Sequence, residues 1–391
     1  MSAGPYFADL HIHIGRTKTG RPVKITGAKS LTLENILKAA KQPKGLDLIG
    51  VIDCHVPEVR EEIKALLAAG ELVQLDEGGF LYQGEVTLIP GIEMEVYDEN
   101  CRGPVHLLSY FPDMDALGKF SEWYGGRVSN PHLSTQRVCA EARKVQEKTK
   151  ELSGMFIPAH VFTPFKSLYG KGVERSLTEV LDPDLIDAVE LGLSSDTAMA
   201  DKISELHRYP FVTNSDAHSL GKMAREYQKL LLESPGFTGL LKALRGEGEN
   251  RIAANYGLNP KLGKYYTTTC AKCRNPVSNG PCPYCGSHLK TKGVSERIEE
   301  LADAHSHPAR PPYIHQVPLD FLPGLGPKTM GRLLSHFGTE MNILHRVPAS
   351  ALKSVVKPPL SELILKQRSG GLAFEAGGGG KYGRVKNPKP E

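Results

Sequence analysis

Short runs of β-branched and apolar residues alternate with amphipathic helical patterns over the first two thirds of the chain. The periodicity predicts strands at residues 7–13, 46–52, 85–89, 104–110, 155–159, 186–191, 210–213 and 251–254. Helices are predicted at residues 33–40, 58–69, 134–151, 197–208 and 238–245. Such alternation indicates a parallel sheet, and seven or eight units favour a closed barrel. An open doubly wound sheet is the alternative, but no glycine-rich phosphate-binding fingerprint supports it.

Side chains that bind metals recur at the ends of these predicted strands. His11 and His13 lie one residue apart and therefore point to the same side of the first strand. A second close pair, Asp216 and His218, follows the seventh predicted strand. The strands between them are accompanied by further ligand-type residues: Asp53, His55, Glu93, His106 and His160. Because barrel enzymes gather catalytic groups at the carboxyl ends of their strands, the pattern predicts a metal centre there.

This set of imidazoles and carboxylates suits zinc, manganese or iron, and a carboxylate such as Glu93 or Asp216 can bridge two ions. Two ions about 3.5–4 Å apart supply the Lewis acidity needed for an in-line phosphoryl displacement. The pattern therefore favours phosphoester hydrolysis. Nucleophilic catalysis by serine has less support, because the segment Gly192-Leu193-Ser194-Ser195 lacks the second glycine of a nucleophile elbow.

The seven cysteines form two groups. Three are scattered, whereas four make two Cys-x-x-Cys pairs separated by eight residues: Cys270, Cys273, Cys282 and Cys285. Four thiolates at this spacing can close a tetrahedron around one structural Zn²⁺, which leaves no open position for chemistry. An odd number of cysteines without a secretion signal argues against a disulfide framework.

Basic charge is concentrated in the last third of the chain. Residues 261–391 hold 19 Lys and Arg against 9 Asp and Glu, although the net charge of the whole chain is only +4. This excess predicts a polyanionic partner. No apolar run approaches the roughly 20 residues of a membrane helix, and the N-terminus lacks a signal-peptide pattern. We therefore expect a soluble cytoplasmic protein without a membrane partner.

The strand–helix alternation ends near residue 258, which predicts three domains. Residues 1–258 would form the catalytic barrel, and residues 259–310 a zinc-binding module with a helix at 295–304. Residues 311–391 would form a helical hairpin region with a basic tail.

Within the last domain, residues 322–329 combine glycine and proline ahead of a helical stretch and resemble a helix-hairpin-helix element. Backbone N–H groups at such a helix N-terminus can approach a phosphate without reading bases. A plain surface turn has the same composition. The residues predicted to contact a nucleic acid are Gly324, Leu325, Gly326, Lys328, Thr329 and Arg332.

The barrel motifs resemble those of the PHP (polymerase and histidinol phosphatase) superfamily, a distorted (β/α)7 barrel that holds two or three metal ions. The resemblance implies seven metal ligands: His11, His13, Glu93, His106, His160, Asp216 and His218. Asp216, Glu93 and His218 would be catalytic, and Asp53 and His55 are less certain ligands. The ions would be Zn²⁺, Mn²⁺ or Mg²⁺. Cys54 and residues 16–19 replace histidines that in this superfamily would serve a third ion.

The order of barrel, zinc knuckle, hairpin and basic tail resembles a narrower family, endonuclease Q, over nearly the whole chain. The likeness is carried by residues 159–164, 190–196, 214–218 and 297–303. It implies a DNA repair nuclease, associated with the nucleoid, that incises 5′ to uracil, hypoxanthine, xanthine or an abasic site. Its protein partners would be replication or repair proteins. Candidates for stacking on a flipped base are Phe162, Phe165, Tyr169 and Tyr284.

Two other functions are compatible with parts of this pattern. A histidinol-phosphatase-like enzyme would use the same barrel on a small phosphate ester, but it would not need the basic C-terminal third. A non-catalytic DNA-binding protein would not need the intact set of ligands. The combined pattern favours a metal-dependent DNA endonuclease.

Overall fold

The computed structural model describes residues 3–278, 280–375 and 384–385. The strands are β1 Gly4–Ile12, β2 Leu48–Val51, β3 Leu72–Gln74, β4 Phe80–Tyr82, β5 Val86–Val96, β6 Val105–Tyr110, β7 Arg137–Val138, β8 Met155–Pro158, β9 Val189–Glu190, β10 Phe211–Val212, β11 Tyr227–Leu232, β12 Arg251–Gly257, β13 Thr269–Cys270, β14 Lys290–Thr291, β15 Tyr313–His315, β16 Phe374–Glu375 and β17 Arg384–Val385. The α-helices are α1 Leu33–Ala39, α2 Pro57–Ala68, α3 Met114–Gly125, α4 Ala142–Glu151, α5 Thr197–Ala200, α6 Phe237–Arg245, α7 Val294–Leu301, α8 Pro327–Phe337, α9 Ala349–Val355 and α10 Pro358–Gln367. Across these described ranges, every helix is too short or too polar to traverse a lipid bilayer.

Seven strands follow one another around a distorted barrel: β1, β2, β5, β6, β8, β9 and β10. The pairs β1–β2, β2–β5 and β9–β10 are parallel, whereas β6 is antiparallel to both β5 and β8. The Asp187 N–H donates to the Phe156 carbonyl at 3.0 Å and links β9 to β8. The ring closes where the His13 N–H donates to Ala217 O and the Ala217 N–H to His11 O, both at 3.1 Å. The predicted seven-strand α/β barrel is confirmed.

Several elements differ from the sequence-based expectation. Strands β3, β4 and β11 and helix α3 were not predicted, and the strand predicted at 251–254 lies outside the ring as β12, antiparallel to β11. The helix predicted from residue 134 begins only at Ala142. The reason lies in the preceding segment, where Thr135 adopts a left-handed φ of 52° and β7 pairs with β5.

Apolar side chains fill the barrel interior below the predicted metal centre. Leu10, Leu48, Ile89, Leu108 and Ile157 are fully buried there in one cluster. A larger cluster lies between the strands and the surrounding helices. Burial of this kind contributes roughly 25 cal/mol per Å² of apolar surface, so the strands that carry the site residues are held on a rigid base.

The C-terminal third packs against the barrel. Arg297 of α7 donates to the carbonyl oxygens of Tyr169 and Val173 at 2.8 and 3.1 Å, and β15 extends the main sheet by pairing with β12. Further along, the Lys44 ammonium forms a buried ion pair with Glu340 at 3.0 Å. The division into domains at residues 258 and 310 stays a prediction. The boundary at residue 310 places β15 in the third domain, although β15 pairs with a strand of the barrel sheet.

Candidate metal centre

The predicted barrel ligands reach one edge of the barrel from several strands. His11 is the penultimate residue of β1, and His13 is the first residue after this strand. Glu93 lies in the middle of β5 and not at its end, because β5 leaves β2 after Pro90 and turns to pair with β6. His106 lies near the start of β6, and the antiparallel direction of that strand brings its amino end to the same edge.

Two of these residues adopt backbone conformations that L-residues rarely use. His160, which follows β8, has a φ of 31°, and Asp216, which follows β10, has a φ of 46°. Gly192 has a φ of 78° beside His160, and a Cβ there would come within 2.8 Å of the His160 Cβ. Local strain of this kind is retained where it positions functional side chains.

The ligand-type atoms form three overlapping groups within which all atoms lie within 4.8 Å of one another. The groups are His11, His13 and Glu93; His13, Asp216 and His218; and Glu93, His106 and His160. Glu93 connects two groups, since its Oε1 lies 2.8 Å from His106 Nδ1 in one group and 3.5 Å from His11 Nε2 in the other. Asp216 Oδ1 lies 3.5 Å from His13 Nε2.

Two carboxylates behind the site orient the first two imidazoles. Glu190 accepts from His11 Nδ1 at 3.0 Å, and Asp53 accepts from His13 Nδ1 at 3.1 Å. The Nε2 atoms of both histidines are buried without a hydrogen-bond partner and face Glu93. A carboxylate that fixes one ring nitrogen while the other stays free is the usual support of a metal-binding histidine, so this donor set fits metal ions.

The carboxylates between these imidazoles stay ionised. Burial would raise the pKa of Glu93, but His106 and Lys24 outweigh it and hold the pKa well below its usual value. Burial also opposes ionisation of Asp216, and a hydrogen bond from His13 leads the effects that hold its pKa well below the ordinary range. The centre therefore concentrates negative charge, which divalent cations balance.

Asp53 and His55 take positions different from those of the other predicted ligands. Asp53 lies behind His13 and accepts a hydrogen bond from the Ile14 N–H at 2.7 Å. Burial opposes ionisation of Asp53, but His13 outweighs it and the pKa of the carboxyl is lowered to about 2. The His55 ring packs edge-on against Tyr124 at 5.0 Å, and burial lowers its pKa to about 4. His55 belongs to none of the three groups found among the described residues.

Sequence reasoning overlooked three residues of the centre. Glu190 orients His11 and also accepts from the His160 N–H at 2.9 Å. Lys24 Nζ lies 3.2 Å from Glu93 Oε2, and the Thr135 hydroxyl donates to the same oxygen at 2.6 Å. Glu190 could have been found because it is a charged residue at the end of an otherwise apolar strand. Lys24 and Thr135 lie in loops, where the sequence has no periodic pattern.

The four clustered cysteines converge as their spacing predicts. Cys270 Sγ lies 3.5 Å from Cys285 Sγ, and Cys273 Sγ lies 3.4 Å from Cys282 Sγ. Backbone N–H groups, led by that of Cys273, lower the pKa of the Cys270 thiol to about 6. The Ser287 N–H lowers the pKa of Cys285, but burial and the other thiols raise it to about 12. Four thiols this close favour a bound cation over four free thiolates.

The predicted hairpin lies at the start of α8. Gly324 has a φ of 84°, a conformation that glycine adopts without strain, and Gly326 caps the helix ahead of Pro327. A Cβ at Gly324 or Gly326 would meet no atom within 4 Å, so both glycines face open space. Lys328 and Arg332 are exposed, Thr329 is half-buried, and Leu325 is buried and therefore packs inward.

The aromatic candidates divide into two pairs. Phe162 and Tyr169 are buried and stack on each other at 5.4 Å, so they belong to the core. Phe165 and Tyr284 are 50% and 70% exposed and can meet a ligand. A cavity of about 100 Å³ opens beside the metal centre and is lined by His160, Thr163, Glu190, Gly192, Leu193, Ser194, Asn214, Asp216 and Tyr265.

Comparison with known proteins identifies relatives over different lengths. No family model matches the chain. YqxK, an uncharacterised protein of Bacillus subtilis, is 53% identical over 383 residues, which cover 97% of this chain and 99% of the relative. An uncharacterised protein of Methanocaldococcus jannaschii is 38% identical over 255 residues, which cover 57% of this chain and 31% of that protein.

Two solved structures match almost the whole chain. The lesion-specific endonuclease PfuEndoQ from Pyrococcus furiosus has a TM-score of 0.85 and 32% identity, and the match covers 99% of this chain and 96% of that one. Endonuclease Q in complex with a 27-mer duplex substrate, with an abasic lesion at the active site, has a TM-score of 0.84 and 33% identity; the match covers 99% and 97%. The chain therefore belongs to the endonuclease Q family.

Proposed function

We propose that this endonuclease hydrolyses DNA at damaged nucleotides and acts in DNA repair. The observation that carries the proposal is the similarity, over 99% of this chain, to Endonuclease Q bound to a duplex with an abasic lesion at the active site. The buried cluster of imidazoles and carboxylates supports it, because such clusters hold the ions used in phosphodiester hydrolysis. Work on chromosomal DNA would place the protein at the nucleoid, in the cytoplasm.

The proposed lesions are abasic sites and the deaminated bases uracil, hypoxanthine and xanthine, with incision on their 5′ side. A barrel edge cannot reach a phosphate beside a stacked base without distorting the duplex, so nucleotides that leave the stack easily are favoured. The cavity beside Asp216 and His160 lies where a displaced base could enter, and Thr163 and Ser194 offer hydroxyl groups there. Deamination replaces an amine by a carbonyl, which a donor in the cavity can distinguish.

We assign two divalent ions to the barrel and one structural Zn²⁺ to the four cysteines. One barrel ion would be held by His11, His13 and Asp216, whose Oδ1 lies 3.7 and 3.5 Å from the Nε2 atoms of the two histidines. His106 and His160 would hold the other ion, and Glu93, which is grouped with both pairs of histidines, would be available to both ions. Ions in this arrangement supply Lewis acidity for phosphodiester hydrolysis. The donor set is compatible with Zn²⁺ or Mn²⁺, and Mg²⁺ remains in the proposal although it prefers oxygen ligands.

The protein side chains position the reacting groups in this scheme. Glu93 and Asp216 are anionic and fixed by neighbouring histidines, so they hold their carboxylates towards the substrate edge. His218 Nδ1 lies 3.0 Å from the Asp216 carbonyl, and its side chain is 27% exposed. Burial and then His13 lower the pKa of His218 to about 4, so at neutral pH its ring is uncharged and keeps a nitrogen lone pair available to a ligand.

A DNA path across the molecule is proposed from two surfaces. The first is a cleft of about 450 Å³ between the barrel and the zinc module, lined in part by Phe165, Tyr265 and Arg274. The second is the hairpin at Gly324 and Gly326, whose open backbone can approach a phosphate. The excess of basic residues in this third of the chain supports both surfaces.

Gly326→Val should weaken binding to damaged and undamaged duplexes alike, by about tenfold, because a side chain there blocks backbone approach to a phosphate. The backbone at Gly326 has a φ of −83° and open surroundings, so the variant should fold normally. Fluorescence anisotropy with matched duplexes measures the effect. Gly126→Val is the control, since Gly126 has a φ of −73° and is also exposed. A loss confined to damaged duplexes would contradict a sequence-independent phosphate contact.

Matched duplexes that differ at one base test the proposed function. With divalent metal, strands containing uracil, hypoxanthine, xanthine or an abasic site should each be cut once, on the 5′ side of the lesion. Discrimination by one buried hydrogen bond is worth about tenfold to a hundredfold, so normal duplexes should be cut much more slowly. Products resolved at single-nucleotide resolution give the position. Equal cutting of normal bases, or degradation from the ends, would contradict the proposal.

A further inference from the structure

Lys24 brings a positive charge into the metal centre from the loop that follows β1. Its Nζ lies 3.2 Å from Glu93 Oε2 and 2.6 Å from the Thr135 hydroxyl, and the side chain is only 15% exposed. The Lys24 N–H donates to the Ile14 carbonyl at 2.9 Å, which fixes the loop to the end of β1. Lys24 is therefore a built part of the centre.

The ammonium group contacts one particular side of Glu93. Glu93 Oε1 faces His106, His160 and, at 3.5 Å, His11 Nε2. Glu93 Oε2 faces His13 at 3.5 Å and also receives the Lys24 and Thr135 hydrogen bonds. This second oxygen is thus already neutralised by a cation of the protein itself.

The same side of the centre is short of ligands for a further ion. The group of His13, Asp216 and His218 shares His13 with the group of His11 and Glu93. Asp216 is assigned to the first ion in the proposed function, because its Oδ1 lies 3.7 Å from His11 Nε2 and 3.5 Å from His13 Nε2. Among the described residues of this third group, only His218 is therefore left without an assigned ion.

We propose that the Lys24 ammonium acts as the third cationic group of this centre and thereby limits the barrel to two divalent ions. Its contact with Glu93 stabilises the carboxylate without occupying a ligand position on any histidine. Repulsion between the ammonium and a cation near His218 disfavours an additional ion in a buried, low-dielectric site. This inference rests on the barrel ligands of the proposed function.

Replacing Lys24 by methionine removes the charge and keeps most of the side-chain length. Lys24→Met should then bind one more Mn²⁺ in the barrel, or bind its weakest barrel ion at least about tenfold more tightly, since like-charge repulsion is relieved. Lys29→Met is the matched control, because Lys29 is an exposed residue of the same loop region and should leave both quantities unchanged.

The experiment uses the full-length protein, which is first stripped of metal and then given back the Zn²⁺ of the cysteine module. Mn²⁺ is then titrated by calorimetry, and elemental analysis measures the bound metals. Thermal unfolding of each variant reports whether it folds, and Lys24→Gln serves where Lys24→Met fails to fold. An unchanged or lower number of Mn²⁺ ions, with unchanged or weaker affinity, would overturn the inference. Wild-type protein that binds metal only in the cysteine module would instead overturn the proposed barrel ligands.

Discussion

Asp216→Asn should lower DNA incision by about three orders of magnitude or more while DNA binding changes little. Asp216 Oδ1 lies between three imidazoles of the centre, and the amide removes the negative charge that a divalent ion requires. Asparagine tolerates the left-handed backbone at this position, where φ is 46°, so the fold should persist. Single-turnover incision of an abasic duplex and fluorescence anisotropy measure the two effects separately.

Asp184→Asn provides the control for this prediction. Asp184 is an exposed carboxylate that pairs with Arg208 on the barrel surface, so its loss should leave incision unchanged. Near-normal cleavage by Asp216→Asn would remove Asp216 from the ligand set. An equal loss of binding and cleavage would indicate that the carboxylate acts on DNA docking.

Cys273→Ser should release one Zn²⁺ per chain and disorder residues 267–289. The two strands of the module, β13 and β14, have only two residues each, so the metal must supply most of the folding energy. DNA binding should weaken by about tenfold or more, because the cleft beside Arg274 loses one wall. Elemental analysis measures the zinc, and hydrogen exchange measures the disorder.

The exposed Cys139 gives a matched control, since Cys139→Ser should keep the zinc and the exchange pattern of the wild-type protein. The barrel ions should stay bound in both variants. An unchanged zinc content in Cys273→Ser would show that the four thiols do not form a closed metal site.

The spacing of the metal-binding residue types in the sequence predicted the positions of most side chains in the centre, because these positions depend on local strand geometry. His11 and His13 point to one side of β1 by the two-residue repeat of a strand, and Asp216 and His218 flank the bridge that closes the ring. Whether each residue binds an ion remains a prediction. The Cys-x-x-Cys pairs were equally informative, because two tight turns leave few other arrangements for the four thiols.

Residues that act through tertiary contacts could not be predicted in this way. Lys24 and Thr135 meet at Glu93 although 111 residues separate them in the chain. The helix expected from residue 134 was wrong at its start, because the amphipathic pattern carries no information about the loop that places Thr135. His55 looked like a ligand in the sequence, but its ring packs against Tyr124.

The barrel centre should incise damaged DNA only when metal ions are bound to it. The most direct measurement strips the full-length protein of metal, restores Zn²⁺ to the cysteine module, and then titrates Mn²⁺ while incision of a duplex with one abasic site is followed. Incision should be absent without barrel ions and should reach its maximum when about two ions per barrel are bound. Full incision by protein whose barrel is free of metal, or none at saturating Mn²⁺, Zn²⁺ and Mg²⁺, would contradict the account.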